Sequence, residues 1–335
     1  MANVKKYRTI DLFAGVGGIR IGFEKAGFNT VFANDFEPKC KDTYDLNFKD
    51  TALTVEDIRK IKISDLPQFD FLLGGFPCQA FSIAGYRHGF KDDRGNLFFD
   101  VARIIDERKP IGFLLENVKN LYNHDNGNTF RVILKTLDEL GYDVKAEILN
   151  SMHYGNVPQN RERIYIVGFR KDTGYINSFE FPEKIERNKT VLDILEKPEF
   201  IDQKYYYNDK PLFEKLKKYD FEIGDVYQWR RQYIRHNKSG VCPTLTANMG
   251  TGGHNVPLVR DSRGIRKLTP RECARLQGFP NSYKLPNISD SHLYKQFGNS
   301  VSISVIGRIA NNIQEVLNGQ TQQATQPRLS LAMAY

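Results

Sequence analysis

The first half of the chain alternates short apolar, β-branched runs with longer stretches in which apolar residues recur at helical spacing. The strand-like runs are YRTIDLF, TVFANDF, FDFLLGG and IGFLLENV. The helical stretches are GIRIGFEKAG, PKCKDTYDLNF, NLFFDVARIIDERK and TFRVILKTLDELG. This alternation predicts an α/β fold with a doubly wound, mostly parallel sheet. Two further strand-like runs, VKAEILN and RIYIVGF, predict an antiparallel extension at one edge.

The periodic pattern is lost after Arg170 and returns near Ile265. The sequence between them is charged and rich in tyrosine, and prolines divide it into short pieces. Where periodicity returns, RKLTPRECARLQGFP predicts a helix with Thr269 as its N-cap and Pro270 as its first residue. The following SVSISVIGRIANNIQEVLN predicts a long helix that packs back on the sheet.

The chain length and this change of pattern together predict two domains. A chain of 335 residues is near the size at which a single core usually divides. We therefore expect a large α/β domain formed by residues 1–170 and 265–318, and a second, smaller domain formed by residues 171–264. Residues 319–335 are expected to form a flexible tail.

Composition excludes some classes of protein and leaves the partner open. No apolar run approaches the roughly 18–20 residues that span a bilayer, and Asp11 interrupts the stretch that an export signal would need. The four cysteines are scattered without CxxC pairs, so we expect reduced thiols in the cytoplasm rather than a zinc site or disulfides. A net charge of +8 suits a polyanionic partner such as nucleic acid, but charge alone does not decide this.

A glycine-rich turn joins the first predicted strand to the first helix, where doubly wound sheets bind nucleotide-like ligands. In DLFAGVGGIRIGF, Gly15 and Gly17 let the backbone approach a ligand, but Arg20 stands where the pyrophosphate fingerprint GxGxxG needs its last glycine. A dinucleotide is therefore disfavoured. At the end of the second strand, Asp35 can accept hydrogen bonds from ribose hydroxyls, and Phe36 can cover an adenine ring. These features suit S-adenosylmethionine, although a plain glycine turn and a strand-end aspartate remain an alternative.

A cysteine and a glutamate are predicted at the same carboxyl edge of the sheet. Cys78 follows a strand in GGFPCQ, and Glu116 ends the next strand in LLENV. Beside a methyl donor, this pair favours methylation of cytosine at carbon 5, because thiolate addition at carbon 6 turns the unreactive ring into an enamine. Glu116 would act as the acid at N3, and Arg163 could hold the ring oxygen. The alternative interpretation of Cys78 is a structural cysteine.

Nine short segments follow one another in order from about residue 7 to residue 310. They are DLFAGVGGIRIGF, FANDFEP, EDIRK, GGFPCQAFS, GNLFFDVARI, LLENVKN, QNRERIYIVGF, RKLTPRECARLQGFP and QFGNSVSISV. Their order and spacing resemble the motif series of the bacterial DNA cytosine-5 methyltransferases of restriction-modification systems. Each segment alone is weakly specific, whereas nine in the right order are very specific. The resemblance implies the fold of S-adenosylmethionine-dependent methyltransferases, with residues 171–264 as a target-recognition domain.

The resemblance also implies the residues of the catalytic and cofactor sites. Cys78, Glu116, Arg161 and Arg163 match the family's catalytic positions. The loop of residues 82–96 resembles a mobile loop that closes over DNA, a reading compatible with an ordinary solvated loop. The implied cofactor-binding residues are Phe13, Gly15, Gly17, Asp35, Phe36, Asp57, Ile58, Pro77, Leu97, Asn299 and Val301.

Contacts with DNA are expected from the smaller domain and from that loop. VYQWRRQYIRHNKSG interleaves basic and aromatic residues without an acid, and CPTLTANMGTGGHN adds threonines and a glycine run. Arginines in these segments can read guanine edges or hold phosphates. Most of the aromatic residues are expected to belong to the core of the smaller domain. The glycine run is also compatible with a hairpin turn. The predicted DNA-binding residues are Ser82, Arg94, Arg230, Arg231, Arg235, Thr244, Thr246, Gly252 and Gly253.

These features together predict a sequence-specific DNA cytosine-5 methyltransferase that uses S-adenosylmethionine and no metal. It would act as a monomer on double-stranded DNA, with the target base flipped out of the duplex, and no membrane partner is expected. It would protect host DNA from a cognate restriction endonuclease. The alternatives are the same chemistry on RNA, an inactive nucleic-acid-binding protein, and a nicotinamide-dependent oxidoreductase, which Arg20 disfavours. The long basic region before RKLTPREC favours duplex DNA, and the intact Cys78, Glu116 and Arg163 argue against an inactive protein.

Overall fold

The computed structural model of the chain describes residues 6–77, 97–230, 232–250 and 254–319. Its strands are β1 (Arg8–Leu12), β2 (Asn29–Asp35), β3 (Leu53–Val55), β4 (Phe71–Gly74), β5 (Gly112–Val118), β6 (Tyr142–Asn150), β7 (Gln159–Asn160), β8 (Glu162–Arg170), β9 (Tyr227–Arg230), β10 (Tyr233–His236), β11 (Cys242–Pro243), β12 (His254–Asp261) and β13 (Gly264–Lys267). Its α-helices are α1 (Gly18–Lys25), α2 (Pro38–Asn47), α3 (Leu97–Arg108), α4 (Asn128–Glu139), α5 (Ser151–Tyr154), α6 (Phe213–Leu216), α7 (Pro270–Leu276), α8 (Asp290–Asn299) and α9 (Ile303–Leu317). Short 3₁₀ turns occupy Ile58–Lys60, Ile63–Asp65, Lys119–Leu121, His124–Gly127, Lys171–Thr173, Tyr175–Asn177, Pro198–Phe200 and Gln203–Tyr205.

The large sheet has its strands in the order β3-β2-β1-β4-β5-β8-β6. The first five pair in parallel, whereas β8 runs antiparallel to both of its neighbours. This arrangement confirms the predicted doubly wound, mostly parallel sheet and its antiparallel extension at one edge. Because parallel strands end on a common side, the residues that follow β1, β2, β4 and β5 come together at the carboxyl edge.

Helices cover both faces of the large sheet. On one face, Ile105 of α3 and Ile133 of α4 are buried with Leu72 of β4. On the other face, Phe23 of α1 and Ile309 of α9 share a second core. The long helix predicted near the end of the chain therefore packs back on the sheet. Burial on both faces explains why the strand sequences are continuous apolar runs rather than alternating ones.

A smaller antiparallel sheet lies in the region that lost the periodic pattern. Its strand order is β10-β9-β12-β13. Tyr227 is buried there with Phe221 and Leu258, whereas Tyr233 is exposed. The aromatic residues of this region thus divide between core and surface. Pairing in the small sheet continues past residue 264, because β13 ends at Lys267.

The chain after the small sheet is helical. Thr269 accepts a hydrogen bond from the Glu272 amide, and the Glu272 carboxylate accepts one from the Thr269 amide. This capping box, with Pro270 first in α7, agrees with the predicted helix start. The sequence did not predict α8, whose residues are mostly polar. None of the helices in the described ranges combines the length and the apolar character that crossing a bilayer requires.

Arg20, which departs from the dinucleotide fingerprint, is a buried structural side chain. Its guanidinium donates to both carboxylate oxygens of Asp50, at 2.7 and 2.8 Å, and to Oε1 of Glu24 at 2.7 Å. It also lies 4.2 Å from the centre of the Phe48 ring. Arg20 therefore fastens α1 to the segment that follows α2, away from the cavity described below.

Candidate active site

A cavity of about 620 Å³ opens at the carboxyl edge of the large sheet, and we call it the edge cavity. Among the predicted catalytic residues, Glu116, Arg161 and Arg163 line it. Gly17 is the one predicted cofactor-binding residue that does not line the edge cavity. The others all line it: Phe13, Gly15, Asp35, Phe36, Asp57, Ile58, Pro77, Leu97, Asn299 and Val301. In the described ranges, no three His, Cys, Asp or Glu side chains are grouped so that they could hold a metal ion.

The turn between β1 and α1 needs glycine at two places for different reasons. Gly15 has a φ of 53° and Gly17 a φ of 77°, in the left-handed region that favours glycine. A Cβ on Gly17 would also lie 2.3 Å from the Phe48 ring, so Gly17 allows the tight start of α1. Gly15 borders the edge cavity and its amide donates to Oδ2 of Asp35 at 2.8 Å.

Asp35 and Phe36 present complementary chemistry at the end of β2. The Asp35 carboxylate accepts from the amides of Gly15 and Glu37, each at 2.8 Å. A carboxylate has about four acceptor positions, so Asp35 keeps capacity for further donors such as ribose hydroxyls. The Phe36 side chain borders the cavity while 72% exposed, which offers an apolar face to a flat ring.

Acidic groups at the rim engage two of the cations near them. Asp57 accepts a hydrogen bond from the Arg59 amide at 3.0 Å and pairs with the Arg59 guanidinium, which lowers the pKa of Asp57. Glu37 pairs with Lys295. Together with Asp35, these carboxylates make the rim suit a nucleoside that carries positive charge. The sulfonium and ammonium groups of S-adenosylmethionine fit that description.

The buried Glu116 pairs with the partly buried Arg163 where β5 and β8 meet. The antiparallel register places Val118 opposite Arg163, which brings the Arg163 Nε to 3.1 Å from Glu116 Oε1. That contact is an ion pair without hydrogen-bond geometry, so Oε1 accepts no hydrogen bond from any described residue. Burial raises the pKa of Glu116, and the guanidinium groups of Arg163 and Arg161 oppose this rise. The carboxyl group can therefore hold a proton at a higher pH than an exposed glutamate.

Arg161 fastens three segments of the chain together. Its guanidinium is buried and donates to the carbonyls of Leu245 at 3.1 Å, Gly298 at 3.4 Å and Ser300. A Cβ on Gly298 would lie 2.4 Å from the carbonyl carbon and oxygen of Thr246, so the two backbones touch. The segment around Thr246 is therefore packed on the end of α8, which borders the edge cavity.

The loop that leads to the predicted nucleophile is held by a side chain that sequence reasoning missed. The Asn117 amide donates to the carbonyl of Phe76 at 2.9 Å, and Pro77 lines the edge cavity. Asn117 follows Glu116 directly, so its place at a strand end was a usable signal. The predicted site residues that lie outside the described ranges are Cys78, Ser82, Arg94, Arg231, Gly252 and Gly253.

A second space of about 460 Å³, which we call the polar groove, continues from the edge cavity. Val118 and Arg163 line both spaces. The polar groove brings together the four predicted DNA-binding residues that the structure describes, Arg230, Arg235, Thr244 and Thr246. Arg163 thus borders both spaces, whereas its partner Glu116 lines the edge cavity.

Gln228 and Asn255 are among the residues of the polar groove that were not predicted. Gln228 and Arg230 are two positions apart on β9, so the strand period places them on one face, and this signal was available. Asn255 lies on β12 and reaches the groove only through the pairing of β12 with β9. Nothing in the local sequence marks it.

Comparisons with known proteins agree with this geometry. A sequence profile of the C-5 cytosine-specific DNA methylases matches residues 7–315. The type II methyltransferase M.Bsp6I of Bacillus sp. (strain RFL6) is 53% identical over 306 residues, which cover 90% of this chain and 96% of the relative. The type II methyltransferase M.HhaI of Haemophilus parahaemolyticus is 42% identical over 321 residues, covering 93% of this chain and 95% of the relative.

Solved structures of methyltransferases share the fold. The crystal structure of the S. pombe Dnmt2 methyltransferase matches with a TM-score of 0.69 at 21% identity, covering 94% of this chain and 99% of that one. The Entamoeba histolytica methyltransferase EhMeth matches with a TM-score of 0.72 at 18% identity, covering 95% and 100%. The sequence profile and the more identical relatives identify the family, and the chain belongs to the C-5 cytosine-specific DNA methylases.

Proposed function

We propose that this protein methylates carbon 5 of cytosine within a specific sequence of double-stranded DNA, with S-adenosylmethionine as the methyl donor. The observation that carries the proposal is that Arg163, which pairs with Glu116 in the edge cavity, also lines the polar groove. A cofactor in the first space and a base entering from the second would meet at this pair. Family membership supplies the type of reaction.

The residues of the edge cavity suit the proposed cofactor. Asp35 would accept hydrogen bonds from the ribose, Phe36 would cover the adenine, and Asp57 would lie at the rim. Asn299 and Val301 would close the opposite wall, beside the Arg161 contacts. When bound, S-adenosylmethionine supplies the methyl group that carbon 5 accepts.

The remaining chemistry belongs to the chain's own residues. The Cys78 thiolate would form a bond with carbon 6, and the electron pair displaced toward N3 would be neutralised by the Glu116 proton. Arg163 would donate to the ring oxygen and hold Glu116 in place. Carbon 5 would take the methyl group, leaving S-adenosylhomocysteine, and N3 would return its proton to Glu116. Loss of the carbon 5 proton to a base would then expel the Cys78 thiolate and restore the aromatic ring. We infer that Arg161 positions this site rather than touching the base, because its Nη1 and Nη2 groups donate to backbone carbonyls.

A cytosine stacked in a duplex cannot present carbon 6 to a thiol, so the nucleotide would have to swing out. That costs a few kcal/mol, which contacts along the polar groove would offset. We assign this role to a target-recognition domain predicted at residues 171–264, whose sheet continues through β13 to Lys267, and the methyl transfer to the domain predicted at residues 1–170 and 265–318. The protein would act as a monomer and protect host DNA from a paired restriction endonuclease.

The test is methyl transfer followed by bisulfite sequencing. The purified protein is incubated with tritiated S-adenosylmethionine and either mixed-sequence duplex DNA or RNA, with Glu116→Gln as the inactive control. We expect label in DNA alone, at cytosines within one sequence. Label in RNA would favour the same chemistry on another polymer, and transfer equal to that of the control would contradict an enzymatic role.

A further inference from the structure

The polar groove contains an arginine whose orientation is fixed by neutral side chains. Arg230 ends β9, and its Nη1 donates to Oδ1 of Asn255 at 2.6 Å and to Oε1 of Gln228 at 3.2 Å. A guanidinium carries five N–H groups, and these two contacts use both hydrogens of Nη1. Nη2 and Nε keep the pair of parallel donors that matches a two-acceptor edge.

The backbone of β12 is shaped to hold this arginine. The pairing of β12 with β9 is irregular between His254 and Val256, where Asn255 is the extra residue. Asn255 has a φ of 55°, a left-handed conformation that asparagine tolerates better than most residues. A bulge of this kind redirects a side chain, and here it directs the Asn255 amide at Arg230.

The neighbouring arginine is arranged differently. Arg235 of β10 lies opposite Gln228 in the strand pairing and lines the same groove, but its side chain is exposed. Its guanidinium, unlike its paired backbone, makes no hydrogen bond or ion pair with any other residue that the structure describes. A free, exposed guanidinium suits a phosphate, which demands charge more than a fixed plane. The half-buried and oriented Arg230 suits a base edge.

We propose that Arg230, oriented by Gln228 and Asn255, reads the O6 and N7 edge of a guanine in the target sequence, whereas Arg235 holds the DNA backbone. The assignment rests on the proposed function, since it needs a DNA substrate. Guanine is the base whose groove edge presents two adjacent acceptors to a guanidinium fork. Gln228 and Asn255 are neutral acceptors, so they restrict the rotation of the Arg230 side chain without compensating its positive charge.

The experiment uses the full-length enzyme and a duplex library randomised around a central cytosine, read by bisulfite sequencing. Wild type should give a consensus that contains at least one guanine. Arg230→Gln should lose preference for guanine at one position by roughly 10- to 100-fold and keep the others. Asn255→Gly tolerates the left-handed backbone and removes the side chain that orients Arg230, so it should relax the same position less. Arg235→Gln should keep the consensus and lower the salt dependence of binding by about one unit of slope.

A base analogue checks the same contact without changing the fold. Replacing the assigned guanine by 7-deazaguanine removes N7, so wild type should lose activity on that duplex while Arg230→Gln is insensitive to the change. An unchanged consensus in Arg230→Gln, with uniformly weaker binding, would show that Arg230 holds a phosphate and overturn the inference alone. Absence of any wild-type methylation would overturn the proposed function and this inference with it.

Discussion

The contact between Gly298 and Thr246 gives a sharp test of how the two spaces are joined. Gly298 lies in the last turn of α8, and an added Cβ would approach the Thr246 carbonyl group at 2.4 Å and the Ala247 nitrogen at 2.6 Å. All three atoms belong to the backbone, so none can rotate away as the end of a side chain would. Gly298→Ala must therefore displace either the helix end or the Thr246 segment.

The magnitude follows from two opposing effects. Overpacking a close contact costs typically about 1–3 kcal/mol, and a clash with backbone belongs at the upper end. Alanine in a helix regains up to about 1 kcal/mol over glycine. The net loss of unfolding free energy should be about 2 kcal/mol. Because Gly298 lines the edge cavity, cofactor affinity should also fall, by roughly tenfold for each 1.4 kcal/mol that reaches the site.

The assay is urea denaturation combined with calorimetric titration of S-adenosylhomocysteine. Gly307→Ala is the matched control, since a Cβ there would meet only Gly22, with its carbonyl oxygen at 3.7 Å in ordinary contact. The control should be as stable as wild type or up to about 1 kcal/mol more stable, with unchanged ligand affinity. If Gly298→Ala behaves like the control in both measurements, the segment around Thr246 is not packed on α8 and the reasoning is refuted.

Three further substitutions test the acid, a buried ion pair and a helix cap. Glu116→Gln should lower kcat about 10²- to 10⁴-fold, while Glu139→Gln, at an exposed carboxylate that pairs with Lys135 outside both spaces, should not. Because burial raises the pKa of Glu116, wild-type kcat should fall as pH rises through that pKa, and a rate that rises there would contradict the acid role. Arg266→Met removes the guanidinium that lies 2.8 Å from the buried Glu272 carboxylate. The free energy of unfolding, measured by urea denaturation, should fall by about 3–5 kcal/mol. A fall below about 1 kcal/mol would contradict a charged, buried Glu272. Thr269→Ala should cost about 1 kcal/mol and Thr269→Ser much less, and equal losses would rule out the capping hydroxyl.

The fold was predictable where local periodicity matched the final environment. The parallel strands are buried on both faces, so their apolar runs stand out between helical stretches. The position of β8 between β5 and β6 was not available, because antiparallel pairing does not depend on nearness in sequence. The helix Asp290–Asn299 was not predicted, because only three of its ten residues, Leu293, Tyr294 and Phe297, are large and apolar.

The site was predictable only to the extent that strand ends reveal it. Asp35 and Glu116 are polar residues at the ends of apolar strands, and parallel strands bring such residues to one edge. The contacts of Arg161 with Leu245 and Ser300 join residues 84 and 139 positions apart, so no local pattern indicates them. Tertiary packing alone determines which groups reach those carbonyls.

The central claim is that the sulfur of Cys78 adds to carbon 6 of the target cytosine, and a mechanism-based trap tests it most directly. A duplex with 5-fluorocytosine at the methylated position is incubated with enzyme and S-adenosylmethionine, then analysed by denaturing mass spectrometry. Expulsion of Cys78 needs a removable proton on carbon 5. Fluorine replaces that proton and cannot be removed by a base, so Cys78 should remain bonded to the methylated strand. The trap should form with Cys242→Ser, which changes a buried cysteine elsewhere, and fail with Cys78→Ser. An active enzyme that yields no covalent complex, or a complex that survives Cys78→Ser, would contradict the account.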